Sequence, residues 1–389
     1  MTRIIFIISL MVCPALIAAP YTPNNDEQTL EQLPQVANAD NQDLRRLRAD
    51  LKANPQQAEF ATQLARRYIA LGKTAADPRY YGYAQGVLKP WWDNPQAPTE
   101  VLLLRALILQ NRHDFAGALL SLRQVLHRDP NHAEAWRTQA IIFQVRARYE
   151  DAQRSCLPLM RLDAPIIAST CLANLGSLTG QAEKSYAFLQ SALTNAQQTS
   201  VEQRGWALTV LAEMAARLGK NQEADEFFKR AVKETADDVY LLSAYSDFLL
   251  DQQRPKEVMV LLNAKTRVDG FLLRMVLAKQ QVNDPQLSAS ITELKARFAA
   301  SRLRGENLHQ GDEARFTLNL LNQPERALQL ALANWSAQRE PKDARIVLEA
   351  AHAANQAAAA QDVINLLDST KMESVTLSRL RQQLQTLRP

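Results

Sequence analysis

Glycine is scarce in this chain, 11 residues in 389, and the scarcity removes whole classes of protein. Nucleotide-binding loops need backbone that can approach a phosphate closely, and neither a G-x-x-x-x-G-K-[ST] loop nor a G-x-S-x-G elbow is present. Cysteine and histidine are sparser still, at 3 and 5 residues. His113, His127, His132, His309 and His352 contain no pair at the i, i+4 spacing of a helical metal site, and no C-x-x-C stands beside them. No metal and no cofactor is expected. No run of alternating β-branched residues lies between turn signals, so strands are not expected. The net charge of +4 comes from interspersed acids and bases without a Lys/Arg run, which argues against nucleic acid as a partner. Scattered Asp and Glu form no pair that spacing marks as catalytic, and the chain is expected not to be an enzyme.

What is present is a repeat. The length admits two or three globular domains or one elongated solenoid, and Thr99–Pro165 decides for the solenoid. Shifting this stretch by 34 residues lays Leu102 on Trp136, Ala106 on Ala140, Leu109 on Phe143, Phe115 on Tyr149, Ala118 on Ala152, Leu122 on Cys156 and Val125 on Leu159. A fixed period of this size means stacked helical hairpins that bury a continuous core between neighbours. Small residues stand where the two helices of a hairpin touch, and large apolar ones fill the space between hairpins. Pro130 ends one second helix, and Pro158 falls inside the next and should kink it.

The register extends both ways. Residues 1–19 have a short basic start at Arg3, an apolar run Ile4–Val12 and small residues at Ala15, Ala18 and Ala19. This reads as a secretory signal, too short for a comfortable span, with an uncleaved anchor as the alternative. Val12 before Cys13 does not fit a lipidation site. The polar stretch 20–42 reads as a flexible leader, with helix beginning near Asp43. Ala58–Pro98 holds a hairpin whose second helix arrives about seven residues late. The insertion Lys73–Tyr80 is therefore expected to bulge from the end of the stack. Tyr80, Tyr81, Tyr83, Trp91 and Trp92 make this the most aromatic part, either a lip that contacts a partner or a cover for the terminal apolar face. Units follow near 99–132, 133–166, 167–199, 205–238 and 239–272, so the solenoid spans 43–272. From 273 to 389 the pattern decays into irregular helical pairs and a closing helix. Those are expected at Phe271–Val282 with Pro285–Arg304, Gln310–Leu321 with Pro324–Gln338, Lys342–Ala354 with Ala357–Leu367, and Glu373–Leu387.

Trp136, Ala140, Phe143, Ala152 and Leu159 in one unit, and Leu211, Ala212, Ala215, Leu218, Gly219, Ala224, Phe228 and Ala231 in another, resemble the tetratricopeptide repeat (TPR). The resemblance is clear over Ala58–Leu272 and weak beyond, to about Leu367. It implies an all-α, right-handed superhelical solenoid of antiparallel helix pairs whose first helices line a concave face that holds a protein segment. Carried over, the concave positions include Leu103, Leu107 and Gln110; Arg137, Ile141 and Gln144; Thr170, Asn174 and Ser177; Thr209, Glu213 and Arg217; and Ser243 and Asp247. Ile141 stands where a carboxylate clamp of the family would need Asn beside Arg137, so recognition of a chaperone tail is not expected. Gln110, Arg137, Gln144, Asn174, Glu213 and Arg217 are the groove candidates, with a solvated groove wall as the plainer reading of each. In this fold the helices carrying Cys156 and Cys171 pack together. An exported chain meets an oxidising compartment, which favours a disulfide over two small buried apolar side chains.

The expected function is a non-enzymatic scaffold of the cell envelope that binds a protein or peptide, without nucleic acid and without a stable membrane span once the signal is cleaved. One alternative is an exported solenoid enzyme of the lytic transglycosylase type. Glu373-Ser374 matches no more than a fragment of its motif, since no Gly-rich sequence follows. The other alternative is a self-associating structural protein.

Overall fold

The computed structural model describes residues 38–197, 199–303 and 310–387. The signal reading of residues 1–19, most of the leader and His309 lie outside them. The chain divides into two compact units, one ending at Arg46 and one running Leu47–Pro389, with the boundary inside helix α1 (Asn38–Ala53). The helix thus starts at Asn38 and takes in the end of the stretch read as leader. Polar residues without apolar periodicity still continue a helix once a following turn fixes it.

The second unit is a series of helical hairpins, and no strand occurs among the described residues. Helix α2 (Ala58–Ala75) pairs with α3 (Arg79–Leu88), α4 (Thr99–Asn111) with α5 (Phe115–Arg128), and α6 (Ala133–Val145) with α7 (Tyr149–Cys156) and the short α8 (Leu159–Leu162). Then come α9 (Pro165–Ser177) with α10 (Ala182–Thr194), α11 (Val201–Arg217) with α12 (Asn221–Glu234), and α13 (Val239–Asp251) with α14 (Pro255–Leu261). The series continues through α15 (Asp269–Gln281) with α16 (Leu287–Leu303), α17 (Gln310–Asn319) with α18 (Pro324–Ala337), and α19 (Pro341–Ala353) with α20 (Gln361–Thr370). Helix α21 (Val375–Gln385) packs on α19. Pro158 does more than kink its helix: it divides α7 from α8. The residues Lys73–Tyr80 do not bulge. They lengthen α2 to Ala75, where a left-handed Ala76 at φ 48° closes it, and begin α3 at Arg79 behind Pro78.

One turn recurs through the whole series. Two or three positions after the end of each first helix from α4 to α19 stands a left-handed residue: His113 (φ 58°), Ala147 (54°), Gly180 (75°), Gly219 (78°), Gln253 (55°), Asn283 (53°), Asn322 (51°) and Asn355 (55°). The next amide reaches back to close the helix end. Asp114 N donates to Leu109 O at 2.9 Å, Arg148 N to Phe143 O at 2.8 Å, Asp284 N to Lys279 O at 2.9 Å and Gln356 N to Ala351 O at 2.9 Å. This Schellman closure satisfies the orphan carbonyls and reverses the chain in the fewest residues. It persists past Leu272, where the apolar register fades.

Packing follows the pattern of residue sizes. Ala106, Ala118 and Ala152 are fully buried and Ala140 nearly so, which lets paired helices approach closely. A continuous apolar interior runs from Ala140 to Phe316. A second one, from Ala314 to Leu384, belongs to α17–α21. Helix α17 contributes Phe316 to the first and Ala314 to the second.

Candidate partner-binding face

The first helices carry a row of polar contacts that steps from one repeat to the next. Asn174 donates through Nδ2 to Gln144 Oε1 at 3.2 Å, joining α9 to α6. Arg217 donates through Nη2 to Ser177 Oγ at 2.7 Å, joining α11 to α9. Tyr240 Oη donates to Glu213 at 2.7 Å, and Arg274 Nη2 to Asp247 at 2.6 Å. The last two are one contact made twice. Donor and acceptor stand 27 residues apart in each, and the second pair lies one 34-residue period after the first. The same arithmetic operates at the other end of the stack, where Arg66 donates to Glu100, 34 residues on, at 2.9 Å and to Glu134, 68 residues on, at 3.1 Å.

Five of the six groove candidates have side-chain partners here. Gln144 and Asn174 meet each other, Arg217 and Glu213 each engage the neighbouring repeat, and half-exposed Arg137 turns to Asp163 at 3.2 Å. Gln110 is half-buried beside the turn at His113, whose amide its carbonyl accepts. Four other carried-over positions are not presented at all. Leu103, Thr170, Ser177 and Thr209 are buried, and the three hydroxyls donate to the carbonyls of Ile166, Asn174 and Gly205 on their own helices. Tyr240 and Arg274 were not legible as part of this row. Their signal was available in the period, since Tyr240 and Arg274 are equivalent positions of successive units.

The electrostatics divide the row in two. At Asp247, burial favours the neutral acid, but Arg274 and Arg315 outweigh it and hold the carboxyl down to about 2. Burial likewise works against the Arg274 cation, and Asp247 and Asp312 more than restore it. This end is a compensated network in which each charge has an opposite neighbour. At the other end compensation is incomplete. Burial raises the Glu213 carboxyl despite Arg217, and burial lowers the Arg217 guanidinium despite Glu213. Arg217 Nε and the hydroxyl of Tyr149, itself 9 % exposed, are buried with no hydrogen-bond partner. Burial, and after it the nearby Glu340 carboxylate, raises the Tyr149 phenol. Such orphaned groups are uncommon in folded proteins and each requires a reason.

This face is covered along one edge by the C-terminal hairpins. Arg339 N donates to Val145 O at 2.7 Å, and Arg146 donates to the carbonyls of Ser336 and Ala337 at 3.1 and 3.2 Å. Gln338 lies 3.2 Å from the His113 ring nitrogen Nδ1. Lys342 sits over the Tyr240 ring, 5.4 Å from its centroid. Arg345 makes a bidentate pair with Asp251 at 2.6 and 2.7 Å. Glu373 accepts from Ala182 N at 2.6 Å and so caps α10, while Ser374 caps α21 through Leu377 N. The Glu-Ser pair weighed as a catalytic fragment thus terminates two helices.

The aromatic hairpin does not present one surface. Tyr81 turns inward and its ring lies where a side chain at Gly72 would stand, 2.7 Å from that Cβ position. Tyr68, Tyr80 and Tyr83 cluster with centroids 5.6 to 6.2 Å apart, and Tyr83 is half-exposed. The Arg48 guanidinium lies over Tyr68 and donates to its hydroxyl at 2.8 Å. Trp91 and Trp92 are half-buried at a 3-10 turn, where the Trp92 carbonyl accepts from Arg105. Cys156 and Cys171 form a disulfide with a Cα–Cα distance of 5.9 Å, tying α7 to α9. Among the described residues no group of three or more His, Cys, Asp or Glu is placed to hold a metal ion, and no helix is long and apolar enough to cross a membrane.

The hairpins, their recurring turn and the row along the first helices define a TPR-like helical repeat. No protein-family model matches the chain, and no curated protein matches it. Among solved structures it is similar to a human IFIT1 dimer with PPP-AAAA, at 14 % identity and a TM-score of 0.45, over 85 % of this chain and 86 % of that one. It is also similar to the APC/C hetero-tetramer Cut9–Hcn1, at 12 % identity and a TM-score of 0.37, over 88 % of this chain and 95 % of that one.

Proposed function

We propose that the chain is an exported, non-enzymatic scaffold of the cell envelope that holds a protein segment against its first helices. The observation that carries this reading is the row itself. Polar side chains from α6, α9, α11 and α13 are fixed in place by contacts across repeats, and a face whose rotamers are already fixed loses little entropy on binding. The apolar N-terminal run with its small residues supports export, and the Cys156–Cys171 bond suits an oxidising compartment.

Site-specific photo-cross-linking in intact cells tests it. A photoreactive residue at Gln144 is expected to trap a defined envelope protein, while one at Leu120, which is 53 % exposed on the second helix α5, should not. Equal yields at both positions, or a product from the cytoplasm, would sink the proposal.

A further inference from the structure

The C-terminal hairpins stand on the face that the proposed function needs, and the construction of their seam shows how that face is reached. The two sides keep separate apolar interiors. Met372 packs against both, but the contacts across the seam from His113 to Asp251 are hydrogen bonds, ion pairs and a cation over a ring. Polar contacts of this kind, partly open to solvent, hold far less firmly than a shared core. Beneath the cover lie Arg217 Nε and the Tyr149 hydroxyl, buried and unpartnered. In its closed form the molecule therefore leaves two donors unsatisfied, one on the row at the end of α11 and one at the start of α7.

We infer that α18–α21 form a gate hinged at α17, and that an acidic peptide segment opens it by supplying acceptors to Arg217 and Tyr149. The inference rests on the reading of the first-helix row as the binding face. The chemistry of the occupant follows from what the gate now presents. Over the first half of the seam one bond runs from the gate, Arg339 N to Val145 O, but the side-chain cation and the helix-end amide of the repeats donate to it: Arg146 takes the carbonyls of Ser336 and Ala337, the Ala182 amide takes the Glu373 carboxylate, and Glu340 lies beside Tyr149. A segment rich in carboxylates matches the same donors. The latch at the far end, Arg345 with Asp251, is a pair of opposite sense and touches none of these donors.

Hydrogen exchange of the full chain read by mass spectrometry reports the gate without any partner. Peptides covering 180–185 and 337–342 are expected to exchange faster than the interiors of α6 and α11, and faster again when salt rises from about 0.05 to about 0.5 M, since screening weakens the seam. Arg345→Glu should speed both segments by about tenfold, and adding Asp251→Arg should restore them. A fluorescein-labelled Glu-rich peptide of about twelve residues, with a Lys-rich one as control, reports the occupant. Its affinity should rise about tenfold in Arg345→Glu, because a gate that is open more often taxes binding less, and Arg217→Ala should remove the gain. Exchange at 180–185 and 337–342 as slow as in the α6 and α11 interiors, in every variant, would overturn the gate. Equal binding of the acidic peptide to the wild-type chain and Arg345→Glu, or preference for the basic peptide, would overturn the occupant. Failure of the envelope cross-link at Gln144 would strike the binding face instead and leave the exchange result standing.

Discussion

The hairpins α4–α7 and the hairpins α17–α20 are built on the same turn, yet the 34-residue period shows in the sequence of the first and has faded from the second. In α4–α7 the apolar positions that pack between hairpins recur at 34 residues, because each serves two like neighbours. In α17–α20 the neighbours are unlike: one side faces the Ala314–Leu384 interior and the other meets the earlier repeats through polar contacts. Regularity of sequence thus measures how alike a helix's neighbours are, and regularity of backbone persists without it.

Four measurements break or sharpen this contrast. The largest effect comes from emptying each interior in turn. Phe228 and Trp335 are 1 % and 3 % exposed in the two separate interiors, and Phe228→Ala or Trp335→Ala should each cost about 3–5 kcal/mol. In denaturant, the first should move the transition of the long interior and the second an earlier transition of α17–α21. A single transition shifted equally by both would show that the interiors do not melt separately.

Breaking the covalent tie comes next. Cys156→Ser with Cys171→Ser, or reduction, should remove about 3 kcal/mol in the chain-entropy picture, measured as a lower denaturant midpoint in the long interior with the α17–α21 transition unmoved. Loss of both together would contradict the division.

Acid should act on the two regions with opposite sign. The Asp247 carboxyl is held at about 2 in the fold, below its ordinary 3.8, so its contribution is complete above about 4 and is lost as pH falls toward 2. Asp343, on α19, is pushed the other way. Burial raises it to about 6 although Lys342 opposes, while Asn334 donates to it at 2.8 Å. A raised acid binds its proton more tightly in the fold, so α17–α21 should gain stability as pH falls from about 6 to about 4. Each effect is on the order of 2 kcal/mol. Melting monitored across pH checks both, and Asp343→Asn should flatten the rise. A rise that survives this change would assign it elsewhere.

The smallest effect lies in the turns. Ala147 is left-handed with a Cβ, so Ala147→Gly should relieve about 1 kcal/mol. Gly180→Ala should cost at least as much, since the new Cβ would stand 3.0 Å from the Lys371 Cβ across the seam. Thermal melts of the two variants should move in opposite directions; movement in the same direction would refute the strain assigned to the turn.

The helices themselves were almost fully legible, including the pairs after Leu272 and a disturbance at Pro158, expected as a kink and found as a division of α7 from α8, because amphipathic spacing and proline act locally. The continuation of the hairpin turn is carried by asparagine rather than glycine. Asn283, Asn322 and Asn355 take the left-handed place that glycine holds at Gly180 and Gly219, and asparagine is among the few side chains that tolerate it. The polar row was legible as a set of positions, while its pairings were not, since rotamers such as those of Thr170 and Thr209 turn back to their own helices. The seam was not legible at all. Ala182 meets Glu373 across 191 residues, and no local pattern reports a contact at that separation.

The contact made twice carries a consequence for how the molecule yields under load. Between α11 and α13 the tie is a hydroxyl on a carboxyl; between α13 and α15, one period later, it is a guanidinium on a carboxylate. The second joins two full charges at a buried position, where salt screens them little, and so holds more firmly than the first. The coil is therefore a spring of unequal turns, softer between α11 and α13 than between α13 and α15.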